Sequence, residues 1–198
     1  MRRAGLPFLV LTLSTLVGAC AHDEPLPPPD ALPPEASGVP EGGRFVLTGV
    51  RRPIVALITE QGIQGPSVNL GRYPGQNGTT AWRGTAFGRD VNLTVTLDGA
   101  DGIVGRSPFN LNVSQGPEGL AVNGLIVGRP CTATIGKARI NGAFGHCGYD
   151  VRFQGQAYVG PRSCGGAPIQ VGITLPPILN TWTDAEVATA LSLLLAGK

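Results

Sequence analysis

Histidine is almost absent from this chain of 198 residues, and its scarcity removes several kinds of catalytic site. Only His22 and His146 are present, so a histidine metal site or a Ser-His-Asp triad has almost no material. The sequence also lacks G-x-S-x-G, H-E-x-x-H and a glycine-rich loop that leads into a helix. A carboxylate-based hydrolase remains an alternative, although none of the acidic residues lies in a recognisable setting. We therefore expect no enzymatic activity and no cofactor.

One of the two histidines precedes a cysteine, which raises the question of a Cys/His pair. Such a pair activates a thiol when the two side chains share a proton. Side chains of neighbouring residues on a strand point to opposite faces of the sheet. Because we expect a strand here, His146 and Cys147 should point apart and form no catalytic pair.

Aromatic residues (6%), methionine (1) and charged residues (14%) are also scarce, whereas glycine (30) and proline (18) are abundant. This combination is typical of turn-rich β structure. Short alternating apolar runs separated by glycine fill residues 91–176, as in antiparallel hairpins. The sequence therefore predicts one mainly β domain over residues 44–198, in which antiparallel hairpins form a curled sheet, a sandwich or a barrel.

Two features of this domain are less regular. Hairpin-like units begin at Val91, Phe109, Cys131 and Tyr149, and they fit a weak internal repeat as well as chance similarity among hairpins. The segment 61–77 has a looser pattern, and we interpret it as a long surface loop.

The first 20 residues have a basic start, a short apolar run and the ending Leu16-Val17-Gly18-Ala19-Cys20. The run is too short for a transmembrane helix, which needs roughly 20 apolar residues, and its organisation is that of a secretory signal. The ending resembles the lipobox of bacterial lipoproteins. This resemblance implies a signal peptide at 1–19, lipidation of Cys20 and acylation of the new amino terminus. An ordinary signal peptide cut near Ala19 is the alternative. Ala21, where some lipoproteins have Asp, implies the outer membrane.

Residues 20–43 begin with the cysteine that would carry the lipid and continue as a proline-rich acidic linker without apolar periodicity. Residues 44–198 contain 13 basic and 8 acidic residues, a net charge of +5. Clustered arginines would favour anionic envelope polymers or lipid head groups. They are scattered along the sequence, however, so we expect a solvated surface. No basic run with interleaved aromatics indicates nucleic acid.

Three cysteines remain if Cys20 is lipidated, and one pair can form a crosslink. A two-residue turn at Gly155-Gln156 places Cys147 directly opposite Cys164, at the non-hydrogen-bonded pair of an antiparallel hairpin. Pairing of Cys131 with Cys147 across the preceding hairpin is the alternative. We favour the Cys147–Cys164 disulfide, which leaves Cys131 as a small buried apolar residue. The run from Cys147 to Gly166 is also similar to a pattern in small envelope lipoproteins of unassigned function.

The C-terminal residues predict one helix over 183–196. Thr183 and Glu186 have the spacing of a capping box, and Val187, Leu191 and Leu194 share one helical face. Thr189 and Ser192 mark the other side. We expect the helix to pack on the sheet through its apolar face; a helix that docks a partner or lies on a membrane surface is the alternative.

These features together predict a membrane-anchored envelope lipoprotein with a non-enzymatic binding or scaffolding role. Its expected partners are the membrane, through the lipid anchor, and an envelope protein or polymer. A lipocalin-like carrier of a small apolar ligand or lipid is the alternative, which requires an enclosed apolar cavity.

Overall fold

In the computed structural model, which describes residues 43–197, strands with alternating buried and exposed side chains account for most of the described residues. The predicted signal peptide, Cys20 and nearly all of the predicted linker lie outside the described residues. The strands are β1 (Arg44–Thr48), β2 (Ile54–Thr59), β3 (Gly62–Gly65), β4 (Val68–Pro74), β5 (Thr80–Ala86), β6 (Arg89–Val95), β7 (Gly99–Val104), β8 (Ser107–Gly116), β9 (Gly119–Ile126), β10 (Arg129–Ile135), β11 (Arg139–Phe144), β12 (Cys147–Phe153), β13 (Tyr158–Ser163) and β14 (Ile169–Thr174). A short 3₁₀ helix (Pro177–Thr181) and the helix α1 (Asp184–Leu195) follow them.

The strands form a closed antiparallel barrel in which each strand pairs with the next along the chain. The first and last strands complete the ring, with Val46 opposite Thr174 and Leu47 opposite Ile173. The predicted fold class is therefore confirmed, and the arrangement is the barrel. Closure leaves no unpaired strand edge, which protects an all-β protein from edge-to-edge aggregation.

The barrel contains an internal repeat of 40 residues. The four strands from β5 to β8 correspond to the four from β9 to β12, and β6, β7 and β8 each begin 40 residues before their counterparts. The tight turns also match: Phe87-Gly88 has φ values of 52° and 72°, and Val127-Gly128 has 53° and 73°. Two successive residues with positive φ are typical of a two-residue hairpin turn. The hairpin-like similarity in the sequence thus reflects a unit of two hairpins.

The helix α1 lies inside the barrel. Ten of its twelve residues are buried, including Thr189 and Ser192, which are 0% exposed. Side chains from well-separated strands reach it: Arg72 on β4, Cys131 on β10 and Tyr149 on β12. The capping box at Thr183 and Glu186 is confirmed. The expected packing of the helix on the sheet is confirmed. The contact is with the inner face of the barrel, so the side marked by Thr189 and Ser192 is buried as well.

The number of strands explains this position. Side chains alone fill a barrel of about eight strands, and the diameter grows with strand number. A helix with its side chains is about 10–12 Å wide, so α1 fills the space that 14 strands enclose.

The part of the chain that the structure describes, residues 43–197, contains no helix with the length and hydropathy of a transmembrane segment.

The segment 61–77, interpreted as a loop, instead contains β3 and β4. Ile63 and Leu70 are cross-strand partners, and both are buried in the core. Gly62 and Gly71 also pair across these strands. Glycine and polar residues between the inward-facing positions hide the alternation, and that is why the pattern suggested a loop.

Candidate site at one mouth of the barrel

Five exposed arginines lie at the same end of the barrel. All odd-numbered strands run toward this end, so the connections that follow β1, β5, β7 and β9 meet there. These connections and the first residues of the strands after them carry the arginines. We call this group the arginine rim; its members are Arg51, Arg52, Arg89, Arg106 and Arg129, all exposed. These arginines are scattered along the sequence and exposed to solvent as expected, but the barrel topology brings the five to one end.

Two of the five project over the mouth of the barrel. Arg89 and Arg129 each stand two residues before an inward-facing side chain, Val91 and Cys131, so they occupy inward-facing positions at the rim. Each also lies beside the neighbouring turn. A Cβ atom built on Gly105 would be 3.5 Å from Cβ of Arg89, and the corresponding distance from Gly145 to Arg129 is 3.9 Å.

The rim has little negative charge to balance it. Asp90 is the acidic residue closest in sequence, and it follows Arg89 on the outward-facing side of β6. Within residues 43–197, the ion pairs are Arg72–Glu186 and Arg139–Asp150, and neither involves the rim. The opposite end of the barrel carries both signs in its turns and strand ends: Arg44, Glu60, Asp98, Glu118, Lys137, Arg139, Arg152 and Asp184.

A cavity of about 460 Å³ opens between the rim and the C-terminal end of α1. Leu193, Ala196 and Gly197 of the chain end line it together with Arg89 and Arg129. The remaining lining is mixed and includes Phe87, Val104, Ser107, Ile126, Val127 and His146. Cationic side chains above a small, partly apolar cavity suit a ligand with an anionic group.

The carbonyl groups at the end of the helix are already satisfied by other side chains. Tyr149 Oη donates to Leu195 O at 2.8 Å, and Arg162 Nη2 donates to Gly197 O at 2.8 Å. Burial raises the pKa of Tyr149 to about 12, although the charge and hydrogen bond of Arg162 oppose the rise. Tyr149 therefore stays protonated and donates to Leu195 O at neutral pH. Because Tyr149 and Arg162 already bind these carbonyl groups, the rim arginines are available to bind a ligand.

The cysteines lie close to this cavity. Cys147 and Cys164 form a disulfide with an S–S distance of 2.09 Å and a Cα–Cα distance of 4.1 Å, in the register that the sequence argument predicts. Cys131 is free and buried, and burial raises the pKa of its thiol to about 12. The expectation that His146 points away from Cys147 is wrong: Nε2 lies 3.7 Å from Cys147 Sγ, because His146 occupies the β11–β12 turn.

A second cavity, of about 520 Å³, lies at the opposite end of the barrel beside the first turns of α1. Its lining is mixed: apolar and aromatic side chains such as Leu120, Phe153, Trp182 and Leu191 lie beside Lys137 and Asp184. The interior between the two cavities is occupied by the helix.

Close to this cavity, the buried carboxylate of Glu186 fixes the helix N-terminus to the barrel wall. Its two oxygens accept from Arg72 Nε at 2.7 Å and Nη2 at 3.0 Å. Burial alone would raise the pKa of Glu186, but hydrogen bonds from Arg72, Thr183 and Thr80 outweigh burial and hold it below its usual range.

Comparison of the chain with protein-family models, curated proteins and solved structures found no significant match. The rim was not predicted from the sequence, although one sequence feature indicates that two of its arginines occupy equivalent positions. Arg89 and Arg129 both follow a glycine and are 40 residues apart, at equivalent turns of the repeat.

Proposed function

We propose that this protein is a lipid-anchored lipoprotein of the outer membrane whose arginine rim binds an anionic polymer of the cell envelope without catalysis. The observation that carries the proposal is the collection of five exposed arginines at one mouth of the barrel, outside any ion pair of the described residues. The anchor is proposed separately, from the lipobox-like sequence that ends at Cys20.

An extended polymer suits this surface better than a single small anion. The rim spans several turns of the barrel, so successive phosphate or carboxylate groups can meet different arginines. Guanidinium groups bind such oxygens through two parallel hydrogen bonds. The cavity of about 460 Å³ behind Arg89 and Arg129 has room for one sugar or one terminal group of the polymer.

Binding of the full chain to polyphosphate, measured by isothermal titration with dextran as the neutral control, tests the rim. Replacement of Arg89, Arg106 and Arg129 by Gln should weaken binding by about threefold to a hundredfold, because each exposed charge contact contributes about 0.2–1 kcal/mol. The matched control replaces Arg44, Lys137 and Arg152 by Gln, which removes the same charge from the other end. Equal weakening in both triple variants would contradict the proposal. Binding should also weaken as salt is raised.

The anchor has its own test. Mass spectrometry of the N-terminal peptide should find a thioether-linked diacylglycerol on Cys20, and Cys20→Ser should leave the protein unlipidated. A variant that still partitions with membranes, with its leader processed as usual, would contradict lipid anchoring while leaving the rim proposal intact.

The second cavity favours a second candidate function, binding of a small apolar ligand. Phe153, Tyr158 and Trp182 give this cavity aromatic walls, and apolar ligands bind in such pockets. A ligand would lie beside the helix rather than along the barrel axis. Titration with a fluorescent fatty acid tests this candidate: Leu191→Trp, which fills the cavity from the helix, should abolish binding.

A further inference from the structure

The two cysteines of the disulfide differ in their exposure to solvent. Cys147, at the start of β12, is 0% exposed, whereas Cys164, just after β13, is only partly buried. An external thiol can approach Cys164 Sγ from the barrel mouth but meets protein atoms around Cys147 Sγ. Attack on this disulfide is therefore directed to Cys164, with Cys147 as the leaving group.

A buried cation stands beside the leaving sulfur. Arg162 is only 7% exposed, and its Nη2 donates to Cys147 Sγ at 3.2 Å. Its other contacts are neutral oxygens, Tyr149 Oη at 2.7 Å and Gly197 O at 2.8 Å. Among residues 43–197, no carboxylate forms an ion pair with Arg162. A charge removed from water gains most from a nearby opposite charge, and a Cys147 thiolate would supply one.

His146 adds a second polar contact to the same atom, with Nε2 3.7 Å from Cys147 Sγ. An arginine, or a histidine in its protonated form, favours the thiolate form of a nearby cysteine. Cys131 offers a contrast within the same chain, because its thiol is buried without a cationic neighbour and its pKa is raised to about 12. The surroundings of Cys147 thus differ from those of a cysteine that only fills space.

We propose that Cys147–Cys164 is a redox-active disulfide that accepts electrons from external thiols, with Arg162 stabilising the Cys147 thiolate. In the first step an external thiolate attacks Cys164 Sγ, forms a mixed disulfide with Cys164 and releases Cys147 as the thiolate. In the second step another external thiolate attacks the sulfur that the first thiol contributed and releases Cys164. The external thiols leave as one disulfide, having lost two electrons and two protons, and the protein gains two thiols.

A metal site is the competing use of these residues. His146, Cys147 and Cys164 place their ligand atoms within 4.8 Å of one another. The guanidinium 3.2 Å from Cys147 Sγ opposes a cation at this position, however, and the sulfurs are joined to each other. The same contact that disfavours a metal ion favours a thiolate.

Reaction of the oxidised full chain with glutathione tests the proposal without any substitution. After a short reaction and quenching with iodoacetamide, peptide mapping should find glutathione on Cys164 and the alkyl group on Cys147. Reaction of the folded protein should also be at least as fast as that of the urea-unfolded chain. A disulfide with only a structural role would react far more slowly when folded, and this result would overturn the proposal, as would glutathione on Cys147.

Arg162→Met should slow the exchange by at least about tenfold, and His146→Ala should slow it by a smaller factor. The matched control is Arg152→Met, which removes an exposed arginine from the outward-facing side of β12. Circular dichroism shows whether each variant keeps its fold. If Arg162→Met does not fold, the exchange rate of His146→Ala and the peptide mapping of the unsubstituted protein test the proposal instead. Equal rates in the folded variants and the control would contradict the proposal. Binding of one Zn²⁺ per reduced chain would assign the three ligands to a metal site and also overturn it.

Discussion

Replacement of Glu186 by Ala tests how the helix is fixed inside the barrel. Glu186 is 1% exposed and makes three kinds of contact: a two-point ion pair with Arg72, a bond from the Thr183 backbone and one with Thr80. Loss of one partner from a fully buried pair costs about 3–5 kcal/mol. Because the Arg72 side chain is 22% exposed, we expect loss of this ion pair to cost only about 2 kcal/mol. The lost capping contact adds about 1 kcal/mol.

The expected loss is therefore about 3 kcal/mol of the free energy of unfolding, measured by urea denaturation at pH 7. The matched control is Asp184→Ala, in the same first turn, where the carboxylate is exposed and meets Gln115 at the surface. That variant should lose less than about 1 kcal/mol. Equal losses in the two variants, or a loss below about 1 kcal/mol in Glu186→Ala, would refute this account of the helix.

The same pair predicts a dependence on pH. The pKa of Glu186 is lower in the folded protein than its ordinary value of 4.5. A carboxylate of this kind contributes stability above the unfolded pKa and loses that contribution as pH falls through the folded pKa. The stability difference between the wild type and Glu186→Ala should be constant near neutral pH and shrink as pH falls below 4.5. A difference that grows with acidity would contradict the assignment.

Two other predictions concern buried polar groups. Cys131 should resist N-ethylmaleimide in the folded protein at pH 8 and react after unfolding, because burial raises its pKa to about 12; rapid labelling of the folded chain would show that β10 does not bury it. Tyr149→Phe should lower the free energy of unfolding by about 1–3 kcal/mol, since it leaves Leu195 O without its donor and Arg162 without an acceptor. Thermal denaturation would measure this loss, and an unchanged midpoint would mean that the end of the helix is not held there.

Local patterns were enough to predict most of the fold class and some exact contacts. The turn at Gly155-Gln156 fixed the register that brings Cys147 and Cys164 together, because pairing in an antiparallel hairpin follows directly from its turn. The capping box at Thr183 is likewise a contact between residues three apart. Such features depend on neighbours in sequence, and the sequence contains them in full.

The features that were missed depend on barrel closure. The sequence of the helix does not indicate that Thr189 and Ser192 are buried, because their exposure depends on the 14-strand barrel around the helix. The arginine rim is similar: Arg52 and Arg129 are far apart in sequence, and only the common direction of the odd-numbered strands places them at one mouth. His146 was misplaced for a local reason, a turn that ends one residue later than expected.

Hydrogen–deuterium exchange of the full chain, followed by mass spectrometry, tests most directly whether the helix fills the barrel. Amides that open only with the whole fold exchange most slowly, whereas a helix on the surface frays and exchanges early. The account predicts that peptides covering Asp184–Leu195 exchange as slowly as those from β6 to β9, the strands packed closest against the helix. Exchange of the helix well before these strands would contradict the enclosed position.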